Sequence, residues 1–489
     1  MKNVTQRCRL LVSLLSTLNH SYLATLLSVV WRICATVRAF ENIEVTPKSF
    51  ERFERRLENQ GRQLARLLLQ HAVNQVDSIE PPTPVVWQDR THWPQRLAWR
   101  AMETRVGKIQ YRRWIFQNEH CWGQPVAPLD QRLGLIGERV SPGVAYKLGR
   151  LAADQPQQSA IAQLSEQFDV RLSVDAYRRA VEHISQEVRF LHDELAIIEL
   201  LQWIATARRS PGKHEVLLLV GRDGVHVPMR QSWKEAACST IAVYDRDRKR
   251  LGTVYLGEMP QEKQVNMTNR LTKVITGVLR GDESRPLQLR YVTDAGGLWR
   301  SDFQKVLSEM KHPLSDEKLE WSWGVHFFHA WEYVSLLADT IFGTGTAEAQ
   351  TWFREQRHQL RHAKEGVKKV LASAAQKKRR HGLKGSETDY LRGKGYLNRY
   401  RAHMDYAARR EAGDPIGSGV TEAGCKVVFN QRMKQSGMRW KRRSGQWIVD
   451  LRTACRSGLW DTISKHGLED FRVLPETDHN ILTDTLANA

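Results

Sequence analysis

The chain has 489 residues, room for about three domains and a sizeable core. It carries 74 Lys and Arg against 54 Asp and Glu, a net charge of +20, which points to a polyanion partner, nucleic acid foremost, with a generic basic or ribosome-associated protein as the alternative. The six cysteines, Cys8, Cys34, Cys121, Cys238, Cys425 and Cys455, contain no CxxC pair, which argues against a disulfide framework or a structural zinc site and suits a reducing cytoplasm.

Leu10 to Trp31 holds no formal charge and is long enough to span a bilayer. Its Ser, Thr, Asn and His residues make it polar for a span, so an oligomerising or loosely packed helix, or an over-long translated start, is the preferred reading over a membrane anchor. Phe50, Phe53, Leu57, Leu64, Leu67 and Leu68 recur at helical spacing and predict an amphipathic helix over Pro47 to Asp77. Pro81, Pro82, Pro84 and Pro94 then mark a linker from Ser78 to Pro94. Lys108 to Leu135 reads as a short β-hairpin with a knuckle at His120 and Cys121. One Cys and one His cannot complete a four-ligand zinc site, so no zinc is expected. Gln157 to Ala205 is helical with a turn at Asp169 to Ser173. This is either a helix-turn-helix that sets Arg178 and Arg179 against DNA or an ordinary helical hairpin, since the turn lacks a glycine.

The apolar run Val216 to Val220 predicts a buried central strand ending at Asp223, with Gly224 as a tight reversal and Val225 to Val227 as the return strand. Asp223-Gly224 is either a plain turn or a carboxylate held rigidly enough to ligate a metal. Strands at Thr240 to Tyr244 and Thr253 to Leu256 follow, then a helix from Glu262 to Leu279. Leu287 to Thr293 repeats the device, a strand with Asp294 at its end and Gly296-Gly297 beyond. Helix over Leu298 to Met310, strand over Leu319 to Phe328 and helix over Ala330 to Phe342 complete the order of an α/β ribonuclease H-like core. Ala347 to Glu411 is a basic helical insertion whose run Lys377-Lys378-Arg379-Arg380 suits DNA contact.

In the last block, Asp414 to Trp440, Pro415, Gly417 and Gly419 make a constrained loop. Thr421 is placed to cap a helix, with Glu422 in its first turn. Glu422 either answers the helix dipole or completes a metal site. Two strand-borne aspartates and one helix-borne glutamate supply the oxygen ligands that paired Mg²⁺ ions need for phosphoryl transfer, with Mn²⁺ as a substitute. Lys426, Arg432, Lys434, Arg439, Lys441, Arg442 and Arg443 crowd the same segment and suit the DNA backbone.

Gly221 to Pro228, Thr293 to Gly296 with Trp299, Phe327 to Tyr333, and Pro415 to Ala423 through Ser436 to Trp440 together resemble the transposases of ISKra-type bacterial insertion sequences, relatives of the Mutator-like DDE group. Pro128-Leu129-Asp130 with Leu133-Gly134-Leu135 matches the segment before the helical DNA-binding part of that family, and the resemblance runs from about Arg112 to Trp460. It implies Asp223, Asp294 and Glu422 as the catalytic and metal-binding triad, with His329 as an auxiliary or a satisfied core histidine. The family commonly has Asp three residues before that histidine, where this chain has His326. The implied partners are double-stranded DNA, as terminal inverted repeats and target, and further copies of the chain in a homodimer or larger assembly, in the bacterial cytoplasm at the nucleoid and away from membranes.

The expected organisation is an N-terminal helical region 1–80, a linker and degenerate ribbon-like hairpin 81–135, a helical DNA-binding domain 136–210, core 211–343, helical insertion 344–412, core 413–465 and a tail 466–489.

Overall fold

The computed structural model describes residues 20–118, 125–137, 139–282, 287–297 and 303–470. His120, Cys121, Trp299, residues 1–19 and the tail beyond 470 lie outside them. The chain divides into two compact units, one of residues 1–151, 156–184 and 466–489, the other of residues 152–155 and 185–465. The division falls inside the helix that begins at Val174, so residues 185–209 belong with the sheet-bearing unit rather than with the 136–210 region expected to stand apart.

In the first unit α1 (His20–Glu41) and α2 (Pro47–Asn74) form a helical hairpin. Phe40 stacks on Phe53 at 4.2 Å. Thr46 and Ser49 close a capping box around Pro47, which fixes where α2 starts. Helix α1 is long and apolar enough to cross a membrane by length and composition alone, and little of it is buried. A three-stranded antiparallel meander follows: β1 (Val85–Trp87), β2 (Arg90–Thr104) and β3 (Gly107–Asn118). The hairpin lies earlier than its sequence suggested: Lys108 to Leu135 supplies only β3 and a short helix, the partner strand β2 starts inside the supposed linker, and Pro94 is accommodated beside a register shift at Pro94/Arg96. Strand β3 would expose an unpaired edge, but Gln70, Asn74 and Asp77 of the α2 end accept from the backbone amides of Gln110, Arg112 and Trp114.

The short helix α3 (Pro128–Arg132) locks this meander. Asp130 accepts from the Tyr111 hydroxyl and pairs at 2.8 Å with both Arg100 and Arg113, while Leu129 sinks into a core with Val73, Met102, Ile109 and Tyr111. After α4 (Pro142–Asp154), α5 (Gln157–Phe168) ends at Asp169, whose φ of 52° supplies the left-handed turn for which the sequence offers no glycine. Arg66 holds the Asp169 carboxylate at 3.3 Å, and α6 (Val174–Arg209) begins after the turn.

The second unit is built on one mixed five-stranded sheet of order β6-β5-β4-β7-β8. Strands β4 (Leu217–Pro228), β5 (Trp233–Tyr244) and β6 (Arg250–Glu258) pair antiparallel, whereas β7 (Gln288–Thr293) and β8 (Trp321–Val325) join β4 in parallel. The sequence placed the chain reversal at Asp223-Gly224; instead β4 runs straight through both, and the turn closes where Met229 N–H meets Ser232 O at 3.1 Å. Gly224 has a different role: a Cβ there would lie 1.8 Å from the Glu235 carboxylate of β5.

Alternation along the strands divides the sheet into two covered faces. On one, Arg222 reaches α7 (Val265–Gly281) at Thr268, and Trp203 of α6 leaves room for no side chain at Gly252. On the other lie α13 (Gly419–Gly424), its π-helical continuation Cys425–Asn430, and α14 (Arg442–Arg456). A buried ionic cluster ties these layers at the end of β6: Arg270 pairs with Asp193 at 2.6 Å, and Arg189 bridges Glu258 and Asp450. Burial raises the Asp450 carboxyl to about 6, with the nearby arginines opposing the shift.

Between β8 and α13 stands the helical layer α8 (Phe327–Phe342), α9 (Ala347–His362), α10 (Gly366–His381), α11 (Glu387–Tyr400) and α12 (Tyr406–Glu411). Phe327 and Phe328 open α8 instead of ending a strand, because β8 stops at Val325 and His326 takes the N-cap position.

Candidate functional site

The register of the sheet assembles the site. Gly221 pairs with Val292, and Val292 with Gly324. Two residues further along each strand come Asp223, Asp294 and His326, on the same face by parity. The parallel pairing of β4 with β7 ends at Gly221, so Asp223 sits in mid-strand but beyond the last hydrogen-bonded partner on that side. On the other side it is paired with Cys238 of β5. A cleft at the carboxyl ends of diverging parallel strands is where open α/β sheets place ligands.

Helix α13 closes over this row. Gly221 permits the approach, since a Cβ there would fall 1.9 Å from Thr421 Oγ1. Thr421 and Thr240 hydroxyls meet at 2.8 Å. Thr421 is thus a buried contact with the sheet and not the helix cap its sequence position suggested; Ser418 takes that position and donates to Glu422 Oε1 at 3.1 Å. The loop before it is fixed by the buried Asp414, paired with Arg248 at 3.1 Å and Arg290 at 2.8 Å. Phe327 N–H donates to Ile416 O at 3.0 Å, tying the same loop to the start of α8.

Three carboxylates far apart in sequence are thereby brought into one neighbourhood, near enough for Asp294 and Glu422 to act on Asp223 electrostatically. Asp223 is pushed above the usual carboxylate range, by burial first and then by the negative charge of Asp294, with Glu422 adding in the same direction. The Gly224 amide, at 2.7 Å from Oδ1, and the Cys425 thiol, at 3.6 Å from Oδ2, partly offset the shift. Asp294 folds back to accept from Gly296 N–H at 2.9 Å, with Ala295 at φ 65° making the turn. Tyr396 of α11 donates to the Asp294 carbonyl at 2.7 Å, which ties the helical insertion to this strand end. Like charges gathered here, with no lysine or arginine among the described residues hydrogen-bonded to Asp223, supply the oxygen donors that hard divalent cations take. Among the described residues, no group of three or more His, Cys, Asp and Glu side chains is placed to hold a metal ion.

His326, noted in the sequence only as a departure from the family's Asp, joins the site. Its ring is buried and its Nε2 lies 3.2 Å from Glu422 Oε1. Burial holds its pKa below the ordinary value, with Glu422 opposing. The signal was available: like Asp223 and Asp294, it follows an apolar strand segment at the matching register. His329, expected as the auxiliary, turns its Nδ1 to Glu332 at 3.0 Å and sets its ring edge-on to Tyr333 and Tyr396. Cys425 and Cys238 were unforeseen; their mutual hydrogen bond, more than burial, pushes the Cys425 thiol up.

The cations divide. Lys426, Lys434, Arg439, Lys441, Arg442 and Arg443 are exposed along and after α13. Arg432 is not: it is 3% exposed, donates to Ala152 O at 3.2 Å and stacks on Trp440 at 5.3 Å, so its assignment to DNA contact is corrected to a packing role. The chain continues from this segment onto the sheet, where Trp440 N–H meets Pro228 O at 3.0 Å. In the insertion, Arg379 and Arg380 are exposed, while Lys377 and Lys378 are half-buried and Lys378 is engaged by Glu387 and the Tyr390 ring. In the first unit Arg178 and Arg179 are exposed on α6.

Comparison with protein-family models and with curated proteins returned no match, so the functional reading rests on the geometry and the sequence pattern.

Proposed function

We propose that the second unit is a ribonuclease H-like catalytic core and the protein a DDE-type DNA transposase, with Asp223, Asp294 and Glu422 as the acids that carry phosphodiester cleavage and strand transfer. The observation that carries this reading is that Asp223 and Asp294 lie two residues past paired glycine and valine positions on one sheet face, and that Asp223 is held above the usual carboxylate range in part by the charges of Asp294 and Glu422. Strand order β6-β5-β4-β7-β8, with a large helical layer between β8 and the glutamate helix, supports the same assignment.

Two divalent ions held by these acids, Mg²⁺ or Mn²⁺, would supply activation of the attacking hydroxyl or water and stabilisation of the departing 3′-oxygen. The protein's own part is to orient. Thr421 against Gly221 sets the height of α13, and Ser418 holds the Glu422 carboxylate. Exposed Lys426, Lys434, Arg439, Lys441, Arg442 and Arg443 suit the phosphate backbone beside the acids, and Arg178 and Arg179 suit the element ends. Self-association in the working complex belongs to the same proposal.

The test is metal-dependent nicking of candidate element ends, followed by strand transfer from pre-nicked ends. Asp223→Asn, Asp294→Asn and Glu422→Gln should each lower nicking by about 1,000-fold or more while end binding persists. Near-parental nicking by any one of them removes that residue from the site. Cutting without joining would make the protein a nuclease or resolvase, and binding without metal-dependent cutting a transposase-derived DNA-binding protein.

A further inference from the structure

We infer that His326 is a metal ligand, and that together with Glu422 it gives one cation position in this site a preference for Mn²⁺ or a similar nitrogen-accepting ion over Mg²⁺. The inference rests on the triad reading and adds to it a nitrogen donor in an otherwise all-carboxylate site.

The geometry of the pair carries the argument. The His326 side chain is 6% exposed, and its Nε2 is buried with no hydrogen-bond partner. The Glu422 oxygen 3.2 Å away stands at ion-pair distance, outside hydrogen-bond geometry. Burying a ring nitrogen without a hydrogen bond is unfavourable, so its retention calls for a partner. Two ligands each about 2.1 Å from one cation stand about 3.0 to 3.4 Å apart for angles between octahedral and tetrahedral, and the observed separation falls inside that interval.

The surroundings keep the nitrogen where it is. His326 N–H donates to Thr293 O at 2.8 Å, which fixes the residue next to Asp294. Gly417 lies against the ring, since a Cβ there would come within 3.4 Å of Nε2. Phe328 flanks the ring at 5.4 Å between centroids. Asp294, Glu332 and Glu422 supply negative charge around it, and His329 is the other titratable neighbour.

Chemistry then selects the ion. Mg²⁺ takes oxygen ligands almost exclusively, whereas imidazole is a good ligand for Mn²⁺ and the metals after it in the divalent series. An aspartate at this position would present only oxygen and favour Mg²⁺.

Full-length protein loaded with Mn²⁺ should show ¹⁴N-imidazole coupling in pulsed electron paramagnetic resonance. The coupling should vanish in His326→Asn and His326→Asp and persist in His329→Ala. Competition titrations should show Mg²⁺ displacing Mn²⁺ at least about tenfold more readily from His326→Asp than from the parent. DNA binding by each variant checks folding, and two substitutions of different shape guard against a misfolded one. If Mn²⁺ binds in an Asp223-dependent manner with no nitrogen coupling, the His326 inference is overturned and the triad stands. If Mn²⁺ binding is absent or indifferent to Asp223→Asn, both fall.

Discussion

Gly221→Ala should displace the helix that carries Glu422. In an ordinary strand the change from glycine to alanine stabilises by about 0.4 to 1 kcal/mol through the unfolded chain. Here the added Cβ would lie 1.9 Å from Thr421 Oγ1, 3.1 Å from Thr421 Cβ and 3.2 Å from Thr240 Oγ1. Relieving the first overlap demands a displacement of about 1.5 Å to reach normal contact. Neither neighbour yields easily, because the two hydroxyls bond each other at 2.8 Å and both residues are buried. Overpacking of this kind costs about 1 to 3 kcal/mol, so the sign of the substitution should reverse.

The functional effect follows from the next residue along the helix. A lift of α13 by even about 1 Å moves Glu422, and misplacement on that scale lowers catalysis by about 100-fold. Urea unfolding reads the first quantity and Mg²⁺-dependent nicking of element ends the second. Thr421→Ala removes the atom that clashes and forfeits about 1 kcal/mol of hydrogen bond. Adding it to Gly221→Ala should therefore recover stability and nicking relative to Gly221→Ala alone. A Gly221→Ala protein as stable and as active as its parent, or a double variant whose losses simply add, would refute the close approach of helix and sheet.

Asp130→Ala should destabilise the first unit by about 2 to 4 kcal/mol, since it leaves Arg100, Arg113 and Tyr111 without their shared acceptor; thermal unfolding of the full chain measures it. Asp223→Asn should melt higher than the parent at neutral pH without divalent ions. The folded Asp223 carboxyl titrates above its unfolded value, so the protonated form's stabilisation is complete below the unfolded value and is lost as pH rises through the folded one. The gap should accordingly close in acid, where both chains are neutral at this position, and narrow when Mg²⁺ is added. Arg432→Ala and Arg439→Ala should separate stability from binding: the buried first should cost about 2 to 4 kcal/mol of folding, and the exposed second should lower the slope of log affinity against log salt by about one.

What the sequence disclosed was periodicity and punctuation. Apolar runs located β4 and β7, and the helical spacing of Phe50 to Leu68 located α2, because burial on one face must repeat with the element's own period. Glycines misled where their reason was tertiary. Gly224 looked like a turn because nothing in the chain near it announces Glu235, which approaches from the partner strand. Thr421 looked like a cap for the same reason: the backbone pattern suits one, and only the facing Gly221 and Thr240 turn it into a packing contact. Arg432 counted as surface charge because a sequence cannot distinguish a guanidinium in solvent from one stacked on Trp440.

His326 is the instructive case. Motif spacing marked its position, but its place beside Asp223 and Asp294 emerges only on extending the register from Gly221 through Val292 to Gly324 and stepping two residues past all three, which requires knowing which strands are neighbours. Neighbour relations in a parallel sheet are made across long crossovers, so the chain carries no local mark of them. The acids show up as ends of apolar segments; their company is decided by topology. A site built this way takes its two aspartates from the sheet and its glutamate from a separate helix. That helix is held by a glycine-threonine contact, a serine hydroxyl and the buried Asp414 pairs, so perturbing any of these should alter chemistry while leaving the strand-borne aspartates where they are.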